Sequence, residues 1–192
     1  MNFDNNNTGN IPQLKSTTVL AVLHNGKVVI GADGQATLGT TVAKNNVKKL
    51  LKLDNKVLVG FAGSTSDAFT LLDRFEEKLK NYGGNIKRSA IELVKEWRTD
   101  RVLRRLEAML IVANKETLLV ISGSGDVLEP EFNVAAIGSG SMYAQSAAMA
   151  LIKHAPHLSA MEIAKESLTI AADICIYTNH NLIFESLDEE HE

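Results

Sequence analysis

TTVLAVLHNGKVVIGADG, residues 17–34, sets the frame for the rest of the chain. Thr17 to Leu23 is rich in threonine, valine and leucine, whose branched or bulky side chains suit a pleated surface. Asn25-Gly26 follows, a pair that tolerates the positive φ of a tight hairpin turn. Lys27 to Ala32 then returns as a second strand, KVVIGA. A turn centred near Asn25 makes the numbers of facing residues sum to about 50. Asp33 therefore falls opposite Thr17 or Thr18, and a carboxylate arrives beside a threonine hydroxyl at the open end of the hairpin.

Reading outward, KKLLKL (48–53) and VLVGFAG (57–63) flank Asp54-Asn55-Lys56 and predict a second hairpin. Ser64, three residues before Asp67, is a capping-box-like helix start. Ala68, Leu71, Leu72, Phe75 and Leu79 then recur with helical spacing, and Gly83-Gly84 ends the helix. A second helix is expected from Ser89 to Leu106, with Ala90, Ile91, Val94, Trp97, Val102 and Leu106 near one face. AMLIVA (108–113), TLLVIS (117–122) and VAAIG (134–138) read as strands. Met142 to His154 is a third helix, stopped before Pro156. Ser159 and Glu162 form a capping box for a fourth, which runs to about Ala172. NLIFESL (181–187) closes the chain as a strand.

Hairpin-linked strands argue for antiparallel sheets. Several of them are apolar almost throughout, so both of their faces are covered. The expected fold is α+β: a four-layer α-β-β-α sandwich of two mostly antiparallel sheets, with a helix pair on each outer side.

The 192 residues are 45% hydrophobic and carry a net charge of −3 with both signs mixed, which suits one compact domain and demands neither nucleic acid nor an anionic membrane. The single cysteine, Cys175, cannot form an internal disulfide, which favours a reducing compartment. The first fifteen residues, MNFDNNNTGNIPQLK, lack the apolar core of a secretory signal and the arginines of a transit peptide. No apolar run approaches the ~20 residues that span a bilayer. The expected location is the cytoplasm.

A threonine hydroxyl needs a base to become a nucleophile. One solution is the residue's own free α-amine, whose pKa of about 7.7–8.0 lies near physiological pH. An amide nitrogen inside a chain has no such basicity. That chemistry at Thr17 requires the sixteen residues before it to be removed. On the threonines alone, ordinary strand formation is the simpler explanation.

The words surrounding the hairpin shift that balance. TTV, NGKVVIGADGQATLG, NVKKL, GFAGSTSDAFTLLDRFE, EWRTD, AIGSGS and DICIYTN, in this order, resemble the HslV (ClpQ) family, bacterial relatives of proteasome β-subunits and N-terminal-nucleophile hydrolases. The likeness runs from Thr17 to about Leu187. It implies the same four-layer sandwich, with 1–16 as a prosegment and 17–192 as one catalytic domain.

The resemblance implies Thr17 as nucleophile and, once its amine is free, as its own base. It implies Asp33 and Lys49 as acidic and basic partners, Ser139 near the amine, and the Gly63 N–H facing the developing oxyanion. It implies backbone carbonyls of Ala172, Cys175 and Thr178 around a sodium ion. It also implies a homo-oligomer of two stacked hexameric rings, fed with unfolded protein by the hexameric AAA+ unfoldase HslU. ATP is expected on that partner, since no P-loop is present here and no nucleotide site is expected.

The chain departs from the family at three points. It carries a sixteen-residue tail, it has Ser16 where self-processing relatives have glycine, and it has Ala172 where the family often has glycine. The remaining candidates read more plainly. Lys48 and Lys49 taken alone are solvated charges. The GSG stretches at 123–125 and 138–140 are turns, His154 and His157 complement a helix end, and the basic run from Arg98 to Arg105 is a mixed-charge face. A stand-alone amidase and a catalytically silent ring subunit are the competing functions.

Overall fold

The computed structural model describes residues 14–15, 17–99 and 106–187. In chain order the first strands are β1 (Leu14–Lys15), β2 (Thr18–His24), β3 (Lys27–Ala32), β4 (Ala36–Leu38), β5 (Thr41–Lys44), β6 (Leu50–Leu53) and β7 (Val57–Gly63). Helices α1 (Thr65–Asn81) and α2 (Ile86–Thr99) follow, then β8 (Ala108–Ala113), β9 (Leu118–Ser122), β10 (Val127–Leu128) and β11 (Val134–Gly138). Helices α3 (Ser141–His154) and α4 (Ala160–Ile174) precede β12 (Ile183–Ser186).

The strands form a four-stranded sheet ordered β11-β2-β3-β12, a five-stranded sheet ordered β10-β9-β8-β7-β6, and a small sheet β1-β4-β5. All pairings are antiparallel. The two larger sheets stack face to face. Val19, Ala21 and Ile30 of one meet Leu58 and Ile111 of the other. Alternate residues of the first hairpin, Leu20, Val22 and Val29, face Ala148, Ile163 and Leu168 of α3 and α4. Val59, Phe61 and Leu110 face Leu71, Phe75 and Trp97 of α1 and α2. Every inner strand is covered on both sides, which is why its sequence is continuously apolar. The four layers match the sequence-based expectation.

The first hairpin turns on Asn25 (φ 51°) and Gly26 (φ 73°), the two positive φ values of a primed turn. Its register pairs Val19 with Ala32 and His24 with Lys27, so facing numbers sum to 51. Asp33 thus lies across from Thr18, the second of the two positions the turn allowed.

Two helix starts differ from expectation. Ser64 is the N-cap of α1, but its side chain makes no capping hydrogen bond. Asp67 is engaged elsewhere, accepting the Glu107 N–H at 2.9 Å. Helix α2 begins at Ile86, ahead of Ser89, because Asn85 Oδ1 accepts the Arg88 N–H at 2.9 Å. Its buried stripe is Ile86, Ala90, Leu93 and Trp97, while Ile91 is exposed. The expected continuation through Val102, together with Arg101, Arg104 and Arg105, lies outside the described residues. The capping box of α4 is present, with Ser159 Oγ accepting the Glu162 N–H and Glu162 accepting the Ser159 N–H. Strands β1, β4, β5 and β10 have no counterpart in the sequence reading.

Candidate active site

The open end of the first hairpin places Thr17 one residue before β2 and Asp33 one residue after β3. Ladder pairing continues one residue past the end of β3, with the Asp33 N–H donating to Thr18 O at 3.1 Å. Asp33 is fully buried, so its charge must be satisfied within the protein. Its Oδ1 accepts the Thr18 N–H at 2.7 Å. Its Oδ2 accepts the N–H groups of Gln35 at 2.9 Å and Asn179 at 3.3 Å.

Lys49 completes this set. It stands immediately before β6, in the opposite sheet, where its carbonyl accepts the Phe61 N–H at 3.1 Å. The residue is 2% exposed, and Nζ donates to Asp33 Oδ1 at 2.9 Å and to Gln35 O at 2.7 Å. One buried ion pair therefore ties the ends of the two sheets together. Burial pulls the Lys49 ammonium below its usual range, and the neighbouring Asp33 carboxylate only partly opposes this.

Thr17 is buried, and its carbonyl accepts the Ser139 N–H at 2.8 Å. The next peptide nitrogen, that of Thr18, is bound to Asp33 Oδ1. Both polar atoms of the Thr17–Thr18 peptide are thus held, one by each neighbour of β2. Gly138 makes this approach feasible, because a Cβ there would lie 1.8 Å from Thr17 O and the residue has φ +92°. Gly138→Ala will reduce stability by at least about 1–3 kcal/mol, which thermal unfolding of the variant beside the wild type checks. Ser139 itself is exposed and contributes its backbone N–H to this contact.

Gly63 ends β7. Its backbone leaves the strand conformation, with φ +105°. It lines a cleft of about 390 Å³ together with Ala62, Met109, Gly123 and Gly138. Thr17, Asp33, Lys49, Ser139 and Gly63 are therefore gathered at one end of the two stacked sheets.

The residues preceding Thr17 also have a place. Leu14 pairs with Leu38 and Lys15 with Thr37, so β1 runs antiparallel along the edge of β4. Leu14 and Lys15 thus lie as an added strand on the edge of β4.

Ala172 lies within α4, and its backbone is not among the positive-φ positions, so alanine is compatible with the local conformation. Cys175 is the C-cap of that helix and its carbonyl accepts the Thr178 N–H at 3.0 Å. The Cys175 thiol is buried and free. Among the described residues no cluster of three or more His, Cys, Asp and Glu could hold a metal, and His154 and His157 join no such group. A cation here would rest on carbonyls at the negative end of a helix, a donor set that fits a hard monovalent ion.

Two residues, Gln35 and Asn179, escaped the sequence reading, as did the side-chain role of Thr178, which was expected only as a carbonyl donor. Gln35 supplies the second acceptor for Lys49, and its side chain donates to Thr37 Oγ1 and to Ile176 O. Asn179 clamps the turn after Asp33: its Oδ1 accepts the Gly34 N–H and its Nδ2 donates to Asn45 O, each at 3.1 Å. Thr178 reaches Thr18 through its side chain. The only signal for these was their place in GADGQ and YTN, since neither turn chemistry nor periodicity marks them.

The sequence matches the family model described as proteasome subunit over residues 14–186. An ATP-dependent protease subunit HslV from Amoebophilus asiaticus is 70% identical over 176 residues, covering 91% of this chain and 98% of the relative. One from Cytophaga hutchinsonii is 68% identical over 175 residues, covering 91% and 97%. Among solved structures, eukaryotic HslV from Trypanosoma brucei superposes with a TM-score of 0.83 at 44% identity, covering 88% of this chain and 98% of that one.

Proposed function

Because this chain belongs to the proteasome-subunit family, we propose that it is the threonine-type peptidase subunit of an ATP-dependent protease, with Thr17 as nucleophile. The observation that carries this reading is the shared oxygen at the hairpin end. Asp33 Oδ1 takes both the Thr18 N–H and the Lys49 ammonium, which ties a buried cation to the peptide that follows Thr17.

Hydrolysis proceeds in two halves. The freed Thr17 amine takes the hydroxyl proton as Oγ1 attacks the substrate carbonyl. The Gly63 N–H stabilises the resulting oxyanion, a contribution of about 3 kcal/mol for one well-placed donor. The tetrahedral intermediate collapses to an ester on Thr17, and the ammonium returns the proton to the leaving amine. Water then attacks the ester and gives a proton to the amine; the bond to Oγ1 breaks, the ammonium returns that proton to Oγ1, and the acid product leaves the threonine free again. Lys49, with an ammonium that burial has made more acidic, keeps positive charge beside the nucleophile and lowers the cost of the alkoxide-like state. Asp33 holds that lysine in place, and Ser139 holds the Thr17 carbonyl and lies beside the amine.

Residues 1–16 act as a prosegment. While they remain, the Thr17 nitrogen is an amide and β1 occupies the edge of β4, so the uncut chain is inactive. The carbonyls of Ala172, Cys175 and Thr178 would hold a sodium ion, which would supply positive charge at the end of α4. The working assembly is a pair of stacked hexameric rings in the cytoplasm, fed by the AAA+ unfoldase HslU, which binds the ATP. No helix among the described residues is long and apolar enough to cross a membrane, which is compatible with that location.

The test separates this reading from a stand-alone amidase. Degradation of a folded protein substrate by the processed chain will require both the AAA+ ATPase and ATP. Hydrolysis of small amides alone, with no gain in protein degradation on adding the ATPase, contradicts it.

A further inference from the structure

Thr18 is fully buried, yet it is a threonine in a strand whose other buried positions are apolar. A buried hydroxyl must find partners. Thr18 Oγ1 accepts the Gly140 N–H at 2.9 Å and shares a 2.7 Å hydrogen bond with Thr178 Oγ1. Gly140 is the N-cap of α3, and Thr178 lies in the loop after α4. Three separate segments therefore meet on one oxygen.

The contact is tight. A Cβ at Gly140 would lie 2.4 Å from Thr18 Oγ1 and 2.6 Å from Thr178 Oγ1, so only glycine fits between the two hydroxyls. The neighbouring bond runs in parallel: the Ser139 N–H holds Thr17 O, and the Gly140 N–H holds Thr18 Oγ1. Two successive amides thus strap two successive threonines. The Thr18 backbone is bound on its other side by Asp33 through both its N–H and its carbonyl. The hydroxyl has one proton and two lone pairs, and this arrangement uses them without conflict.

We propose that Thr18 is a positioning residue for the reaction at Thr17, its hydroxyl locking the Ser139-Gly140 strap and the Thr178 loop onto the start of β2. This rests on the reading of Thr17 as nucleophile. If Thr18 served only as a strand former, valine would replace it well, being nearly isosteric and strongly β-forming. Thr18→Val instead leaves the buried Gly140 N–H without its acceptor. The strap is then free to shift, and displacement of a reacting group by about 1 Å is enough to lower turnover about 10²-fold.

The experiment uses assembled protein whose N-terminus is verified as Thr17 by intact mass, with active sites titrated by a threonine-directed covalent inhibitor. Per titrated site, Thr18→Val will lower kcat about 10- to 100-fold with KM within about twofold of wild type. Thr18→Ser keeps the hydroxyl and will recover most of that loss. Thr178→Val, which leaves Thr18 in place, will lower kcat in the same direction, and the double variant will be no worse than Thr18→Val alone. If Thr18→Val does not assemble, Thr178→Val and Thr18→Ser carry the test.

Wild-type kcat per site in Thr18→Val, or in Thr178→Val where Thr18→Val does not assemble, overturns the proposal, as does an equal loss in Thr18→Ser and Thr18→Val. If wild type and Thr17→Ala hydrolyse peptide equally, the nucleophile assignment itself falls, and this inference with it.

Discussion

Thr17→Ala will abolish peptide hydrolysis and leave the fold in place. The residue precedes β2, and its structural contact is made by its backbone carbonyl to the Ser139 N–H, which alanine keeps. The ladder of the first hairpin runs from Val19 to His24 and does not involve the Thr17 side chain. Unfolding stability will therefore change by no more than about 1 kcal/mol, the scale of an ordinary substitution. Turnover will fall by at least about 10⁴-fold, as it does when a covalent nucleophile is removed. Thr17→Ser keeps an oxygen nucleophile and an amine, and will retain measurable activity. The same variant reports on maturation. A wild-type chain that starts at Thr17 beside a Thr17→Ala chain that keeps residues 1–16 identifies self-cleavage, whereas loss of the tail in both points to another protease.

Lys49→Met will be the most damaging change to stability outside the hydrophobic core. It strands a fully buried carboxylate at Asp33, which keeps its backbone N–H donors and loses its countercharge. Breaking a buried pair in this way costs about 3–5 kcal/mol. For a chain of this length that lowers the melting temperature by roughly 10 °C. Adding Asp33→Asn to Lys49→Met will restore part of the loss, because the orphaned charge is gone. Activity will be lost in both.

The pair also sets a pH dependence with a definite sign. Burial lowers the Lys49 pKa in the folded protein below its value of 10.5 in the unfolded chain. Between those two values the unfolded state binds more protons, so stability rises with pH across the window. Below the folded pKa both states hold the proton and the cost of burying the ammonium is fully present. Denaturant unfolding at a series of alkaline pH values up to about 10.5 will show this rise in wild type and not in Lys49→Met. Parallel slopes in the two proteins contradict the assignment.

The layered fold and the hairpin register were legible because they rest on strong local signals. Asn25-Gly26 specifies a turn, and a turn specifies which residues face each other, so Asp33 could be carried to the threonines within one residue. Continuous apolar strands announced two covered faces, and the three core layers confirm that reading. The site itself was only partly legible. Lys49 follows another lysine in a polar stretch, and nothing local distinguishes the buried one from its neighbour. The expectation for Lys49 came from family resemblance alone.

What remained hidden was long-range. Asn179 meets Gly34 across 145 positions of sequence, and Thr178 meets Thr18 across 160. Threonine in a strand is ordinary, so the demand placed on Thr18 by Gly140 shows only once α3 is positioned. Strand β1 is two residues long, and its pairing depends on the edge that β4 offers. The capping box expected at Ser64 failed for a comparable reason, since tertiary structure had already claimed Asp67 for the Glu107 N–H.

The Thr17 nitrogen must be freed for the site to work. The intact mass and N-terminal residue of assembled protein, read alongside its peptide hydrolysis, test it most directly. Active material will begin at Thr17, and any fraction retaining residues 1–16 will be inactive. Active protein that keeps the Ser16–Thr17 bond intact would contradict it.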